Sequence, residues 1–319
     1  MKILFISTDW TGLARPVADE LSRQGHDVAY LDHSEISHFA YKSSTHRALT
    51  KLLDLFRKRK YKHVKTEQNI AYELTRFFCG QNFDLAIFTN PDIFVEEHFK
   101  IIRTHIPRLH LMLWDSLGRM PQNREKLPYF DKVFSFDPID VATHNLENTT
   151  NYYRRDQLPL STNSYLYDVF CIMSFCKQRY PILVKFLDNN PNLNCKILLY
   201  IDHPRKRKYI KHPKIEIIEE PILNEKLLPY VRQSRCILDI GYENQRGLSF
   251  RVLEALAWER KLITTNTEIS KQDFYNRDNI HIWNEKTSLS SKFIESDYNI
   301  VPPNIKQKYR IDNVAKKLI

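Results

Sequence analysis

With 319 residues and 42% hydrophobic content, the chain is long enough for two cores, and eighteen Phe, seventeen Tyr and four Trp supply bulk to fill them. Charges of both signs are scattered along its length, which excludes a disordered, single-sign tail protein. No stretch approaches a membrane-helix span, and the start MKILFISTDW shows no cationic leader with a cleavage site, so secretion is not expected. A net charge of +10 would attract phosphates, nucleic acids and anionic lipid surfaces alike, and equally suits a plain basic surface.

Residues 2–7 (KILFIS) predict a strand, and the polar loop around Asp9 and Gly12 leads into a helix through Val17, Leu21 and Gly25. The strand DVAYLD follows at once, and strand, helix, strand within about thirty residues is the mark of a right-handed crossover and a parallel sheet. Residues 45–80 are helical in character. Their basic cluster Arg57, Lys58, Arg59, Lys60, Lys62 and Lys65 follows the apolar Leu49, Leu52, Leu53 and Phe56, and suits either an anionic membrane surface or a solvated helix end. FDLAIFTN, LHLMLWDS and DKVFSFD complete a five-strand parallel sheet, whose carboxyl ends point to Asn90, Asp92, Asp115, Ser116 and Asp137 as places for a ligand.

Residues 145–166 lose periodicity and gather Asn, Thr, Ser and Pro, which predicts a linker. The rhythm restarts with the strand YDVFCIMSF, a helix from Pro181 to Leu187, the strands CKILLYID and KIEIIEE, a helix near Leu227 to Arg232, and the strand RCILDI. The expected fold class is therefore α/β with two Rossmann-like parallel-sheet domains, residues 1–160 and residues 161–300, and a helical tail over 301–319. The cysteines Cys79, Cys171, Cys176, Cys195 and Cys236 include no C-x-x-C pair and several lie in apolar runs, which predicts buried thiols in a reducing cytosol. The histidines, His33 and His144 among them, show no metal-ligand spacing.

The stretch that carries chemistry is 236–266, CILDIGYENQRGLSFRVLEALAWERKLITTN: strand, loop with Gly247, helix from about Ser249, strand. Gly247 permits close backbone approach, and the amides opening the helix, beside Arg246 and Arg251, predict a diphosphate site. Glu254, one turn on, is an acceptor-only group suited to sugar or ribose hydroxyls.

GLSFRVLEALAWERKLITTN resembles the donor-binding segment of GT-B glycosyltransferases, in the branch of bacterial polysaccharide and lipopolysaccharide enzymes and CgeB-like proteins. The paired-domain rhythm, WDSL, FDKVFSFDPID and DVFCIMSFCKQRYPIL extend the resemblance over most of the chain. It implies that the two domains face a cleft, with the tail packing back on the first domain. It also implies transfer of a sugar from a nucleotide donor, a UDP-sugar, held mainly by the second domain to a glycan or lipid-linked acceptor held mainly by the first. No cofactor and no metal are implied, and electrostatic preorganisation would stabilise the departing diphosphate. Under it, Glu254 matches the ribose carboxylate, Gly247, Leu248 and Ser249 the diphosphate loop, Lys177 and Arg179 a phosphate-binding position, and Asn266 the wall of the cleft. Many retaining members carry a second glutamate eight positions before the first, where this chain has Arg246; Glu243 either substitutes for it or is a solvated loop carboxylate. An inverting reaction would need a general base, for which Asp115 and then Asp9 are the candidates, each with an ordinary alternative as a turn or capping residue.

Two other readings stay open. The runs RKRKYKHVK and PRKRKYIKHPK suit a nucleic-acid binder, although neither sits in a recognition module, so no nucleic-acid partner is expected. The same donor site would also serve a nucleotide-sugar epimerase or a non-catalytic sensor.

Overall fold

The structure is a computed structural model that describes residues 1–9, 12–36, 39–161, 164–286 and 289–319. Its elements in chain order begin β1 (Lys2–Ser7), α1 (Arg15–Arg23), β2 (Asp27–Asp32), α2 (His33–Ile36), α3 (Ser44–Leu53), α4 (Tyr61–Phe77), β3 (Leu85–Phe88), α5 (Glu96–Arg103) and β4 (Leu109–Met112). They continue β5 (Lys132–Ser135), α6 (Pro138–His144), β6 (Glu147–Asn148), β7 (Tyr167–Ser174), α7 (Arg179–Asn189), β8 (Cys195–Tyr200), β9 (Ile215–Ile218), α8 (Leu228–Arg232) and β10 (Ser234–Asp239). The chain closes with α9 (Phe250–Trp258), β11 (Lys261–Thr264), β12 (Ile280–Ile282), α10 (Ser291–Glu295), α11 (Pro303–Gln307) and α12 (Ile311–Lys317).

The described residues form two six-stranded sheets, in the orders β2-β1-β3-β4-β5-β6 and β12-β11-β10-β7-β8-β9. The five strands expected of the first sheet are joined by β6, too short to show in an apolar pattern. Central strands read as continuous apolar runs because helices cover both faces: Ile3, Leu4, Phe5 and Ile6 are fully buried in β1, as are Leu85, Ala86, Ile87 and Phe88 in β3. Helix ends follow local chemistry. Pro16 stands in the first turn of α1, Ser249 Oγ caps Val252 N of α9, and Glu259 closes α9 in the left-handed region at φ 55°. The expected helical stretch 45–80 is two helices, α3 and α4, separated by residues 54–60, which end in the basic run 57–60.

Two compact units emerge, Met1–Phe134 with Leu318–Ile319, and Ser135–Lys317, so the division falls earlier than position 160. The described part of the 145–166 stretch, expected as a linker, lies within the second unit, with Asn151, Tyr152 and Tyr153 all buried; positions 162 and 163 lie outside the described residues. Tyr153 N donates to Tyr309 O at 3.0 Å and Ile311 N to Tyr153 O at 2.9 Å. The polar composition of the stretch misleads because the backbone of Tyr153 bridges to Arg310 in the distant tail, a partner no local pattern shows. Most of that tail, α11 and α12, belongs to the second unit, while its last two residues group with the first, where Leu318 O is 2.6 Å from His110 Nδ1.

In the second unit, counting from β7, the strand order is 3-2-1-4-5-6, the doubly wound arrangement whose direction reverses between β7 and β10. One core layer packs Val252, Leu253, Leu256 and Trp258 of α9 beneath the sheet; the other packs Leu183, Phe186 and Leu187 of α7 against the opposite face. The five cysteines are free, Cys171 and Cys236 buried and Cys79 exposed. Among the described residues no helix is long and apolar enough to cross a membrane.

Candidate functional site

At the carboxyl ends of β7 and β10, where the strand order reverses, a crevice of about 240 Å³ opens. Its walls include Gln178 and Arg179 from the start of α7, Gly241, Tyr242, Glu243, Gln245 and Arg246 from the loop after β10, and Thr265 and Asn266 after β11. Arg179 crosses its floor. Its Nη1 donates to Ile240 O at 3.2 Å, and its Nη2 donates to Ser174 O at 3.1 Å and to Tyr242 Oη at 2.9 Å. The guanidinium also lies over the Tyr242 ring, 3.9 Å from its centroid, and its buried Nε–H has no acceptor among the described residues. A cation is thus fixed where an open α/β sheet takes its ligand, with an aromatic face beside it.

The loop before α9 is clamped from three sides. Asp137 Oδ2 accepts from Arg246 N at 2.6 Å and Gly247 N at 3.1 Å, while its Oδ1 caps α6 through Ile139 N at 2.9 Å. Asn266 Nδ2 donates to Arg246 O at 3.0 Å and Gly247 O at 3.2 Å, and Asn151 Nδ2 to Leu248 O at 2.8 Å. The Gly247 amide, in the loop expected to face a diphosphate, and the Arg246 amide before it therefore already hold an internal carboxylate. Gly247 is needed for a different neighbour than a ligand: a Cβ there would stand 2.5 Å from Phe136 O and 2.7 Å from Phe136 Cε2.

The expected residues divide accordingly. Arg179, Glu243, Arg246 and Asn266 line the crevice, Glu243 and Arg246 exposed and Asn266 buried. Leu248 is 5% exposed and belongs to the core. Ser249 Oγ donates to Asp239 Oδ1 at 2.8 Å, so its hydroxyl is taken up in the fold. Glu254 has both oxygens engaged: Oε1 accepts from Gln157 Nε2 at 3.1 Å, and Oε2 lies 2.6 Å from Arg251 Nη1, aligned as an ion contact and not a hydrogen bond. Lys177 is exposed and turns to the Tyr209 ring, 5.4 Å away. In the first unit, burial raises the Asp115 carboxyl above its usual range, opposed by its ion pair with Arg119. Asp9 has a turn role, accepting Ala14 N at 2.8 Å ahead of α1.

Cys176, in the loop between β7 and α7, adds a chemical handle. Burial pushes its thiol up, but the Gln178 and Arg179 amides and the Arg179 cation outweigh it and hold the thiol below its ordinary value. Burial pushes Cys171 and Cys236 up to about 12. Among the described residues, no group of three or more His, Cys, Asp or Glu is gathered to hold a metal ion.

No family model and no curated protein matches the sequence. Solved structures do. An alpha-glucosyltransferase in complex with UDP and a 13-mer DNA aligns over 88% of this chain and 83% of its own at 13% identity, TM-score 0.56. The lipopolysaccharide outer core galactosyltransferase WaaB, in apo form, aligns over 100% and 95% at 11% identity, TM-score 0.51. UDP-GlcNAc 2-epimerase from Methanocaldococcus jannaschii aligns over 99% and 98% at 12% identity, TM-score 0.51.

The chain has the GT-B fold. Within this GT-B chain, sequence reasoning missed Tyr242, Gln178, Thr265, Asn151 and Asp239. Asp239 shows why: it ends the apolar run CILD, accepts from both Ser249 Oγ and Thr264 Oγ1, and so fixes β10, β11 and the α9 cap together. A polar residue closing an apolar strand was the available signal. Asn151 carried none, because its partner Leu248 O lies 97 residues away.

Proposed function

We propose that this protein is a glycosyltransferase that moves a sugar from a UDP-sugar to a cell-envelope glycan or lipid-linked acceptor, with no metal bridging the phosphates. The observation that carries the reading is Arg179, set across the floor of the crevice at the reversal point of a GT-B fold, with Arg246 on the rim. In this reading the nucleotide enters over Tyr242 and the Arg179 guanidinium, and the two arginines neutralise the charge that develops on the departing diphosphate. Glu243, exposed on the same wall, is the carboxylate available to the donor sugar.

An epimerase shares the fold, so the reaction needs its own readout. Incubation with labelled UDP-sugars and envelope lipid extracts separates the two: acceptor-dependent UDP release marks transfer, and an isomerised sugar marks the epimerase. Titration calorimetry with UDP tests the site. Arg179→Ala and Arg246→Ala should each weaken binding by about tenfold or more, the value of one charge-assisted contact. Arg246 is exposed at the rim, so its loss leaves the fold intact and separates ligand effects from folding effects. Unchanged affinity in both variants removes the assignment.

A further inference from the structure

The face of α3 that meets the rest of its unit is polar. His46, Thr50 and Asp54, spaced i, i+4, i+8 and so on one side of the helix, are its covered positions, while their neighbours are exposed. Thr50 Oγ1 donates to His46 O at 2.6 Å, Asp54 Oδ1 accepts from Tyr61 N at 2.9 Å, and the His46 and Tyr61 rings meet edge to face with centroids 5.6 Å apart. Leu49, Leu52, Leu53 and Phe56 follow the i, i+3, i+4, i+7 spacing that normally marks a core-facing stripe. Here they are exposed by 57%, 59%, 43% and 87%, with Leu55 at 75% beside them. The helix is amphipathic and mounted with its apolar side outward.

Next to this stripe stand Arg57, Lys58, Arg59, Lys60, Lys62 and Lys65. Asp54 and Glu67 pair with Arg57 and Arg59, whereas Lys58, Lys60 and Lys62 have no carboxylate partner among the described residues. We propose that α3 and the segment joining it to α4 dock on an anionic lipid bilayer, the leucines and Phe56 entering the boundary between headgroups and acyl chains while the cations engage lipid phosphates. Charge and apolarity together choose this occupant. A nucleic acid would use the cations and leave the leucines in water; a second copy would bring two like-charged clusters face to face; protein interfaces are depleted in lysine.

The inference is independent of the sugar chemistry and is tested by flotation of the full chain with phosphatidylcholine vesicles and with vesicles also containing phosphatidylglycerol. The expected result is partitioning onto the anionic vesicles that weakens as salt rises. Phe56→Asp and Leu52→Asp should each lower it by roughly tenfold. The triple change Lys58→Gln, Lys60→Gln, Lys62→Gln should lower it on the order of a hundredfold. These side chains are exposed, and unchanged circular dichroism and melting confirm folded variants. A wild-type chain that ignores both vesicle types overturns the proposal, as does Phe56→Asp partitioning like wild type. So does a dimer that Phe56→Asp splits without vesicle binding, or binding to duplex DNA in place of vesicles.

Discussion

Gly247→Ala puts the geometry of the clamped loop to a direct test. The new methyl would stand 2.5 Å from Phe136 O and 2.7 Å from Phe136 Cε2. A ring can rotate aside, but a backbone oxygen moves only with its chain, and Phe136 is bonded to Asp137, which holds the amides of Arg246 and Gly247. Relief of the contact therefore lengthens the hydrogen bonds that fix the loop. Overpacking at such a site costs about 1 to 3 kcal/mol, and in a unit of this size that lowers Tm by roughly 3 to 10 °C. Scanning calorimetry of Gly247→Ala, Phe136→Ala and the double variant measures it. Phe136→Ala removes the ring and leaves the carbonyl, so the double variant should recover only part of the loss caused by the methyl. If Gly247→Ala melts within about 1 °C of wild type yet loses UDP affinity, the glycine serves a ligand and the packing argument is refuted.

Three further outcomes are expected. Asp137→Ala deprives three backbone amides of their acceptor and should destabilise the second unit by about 3 to 5 kcal/mol by chemical denaturation, whereas a loss below about 1 kcal/mol contradicts the clamp. Glu254→Gln leaves Arg251 without its anion, and stability should fall by about 1 to 2 kcal/mol with UDP affinity little changed; weaker UDP binding at unaltered stability would return Glu254 to a ribose. Iodoacetamide should alkylate Cys176 and the exposed Cys79 well before Cys171 or Cys236. Because the Cys176 thiol is held below its ordinary value, its thiolate forms at lower pH, and its rate should reach a plateau at lower pH than that of free cysteine. UDP should slow the reaction at Cys176, and a rate that follows the free-cysteine curve would count against the assigned environment.

Apolar runs of four to eight residues gave away nearly every strand because both faces of each sheet are covered, and the strand-helix alternation then dictated a parallel arrangement. The crevice was legible through Arg246, Glu243 and Asn266, which follow strands β10 and β11, and through Arg179 by resemblance. What could not be read was which polar partners the fold itself consumes. Gly247, Ser249 and Glu254 have the residue types of a phosphate and sugar site, yet Phe136, Asp239, Arg251 and Gln157 engage them from inside the protein. Two of these pairings are far apart in the chain, Gly247 with Phe136 and Glu254 with Gln157 at 97 positions, so no local pattern records them. The linker expected at 145–166 failed for the same reason, since the backbone of Tyr153 within it is paired with Tyr309 and Ile311 in the distant tail.

The Asp137 carboxylate has an evolutionary consequence. A phosphate seeking the amides of Arg246 and Gly247 would have to evict an anion that is already bonded three times and covalently tethered. A nucleotide held nearby draws instead on other groups of the crevice, the Arg179 and Arg246 side chains among them. Its preference for one base or one sugar could then drift by single substitutions that leave the scaffold untouched.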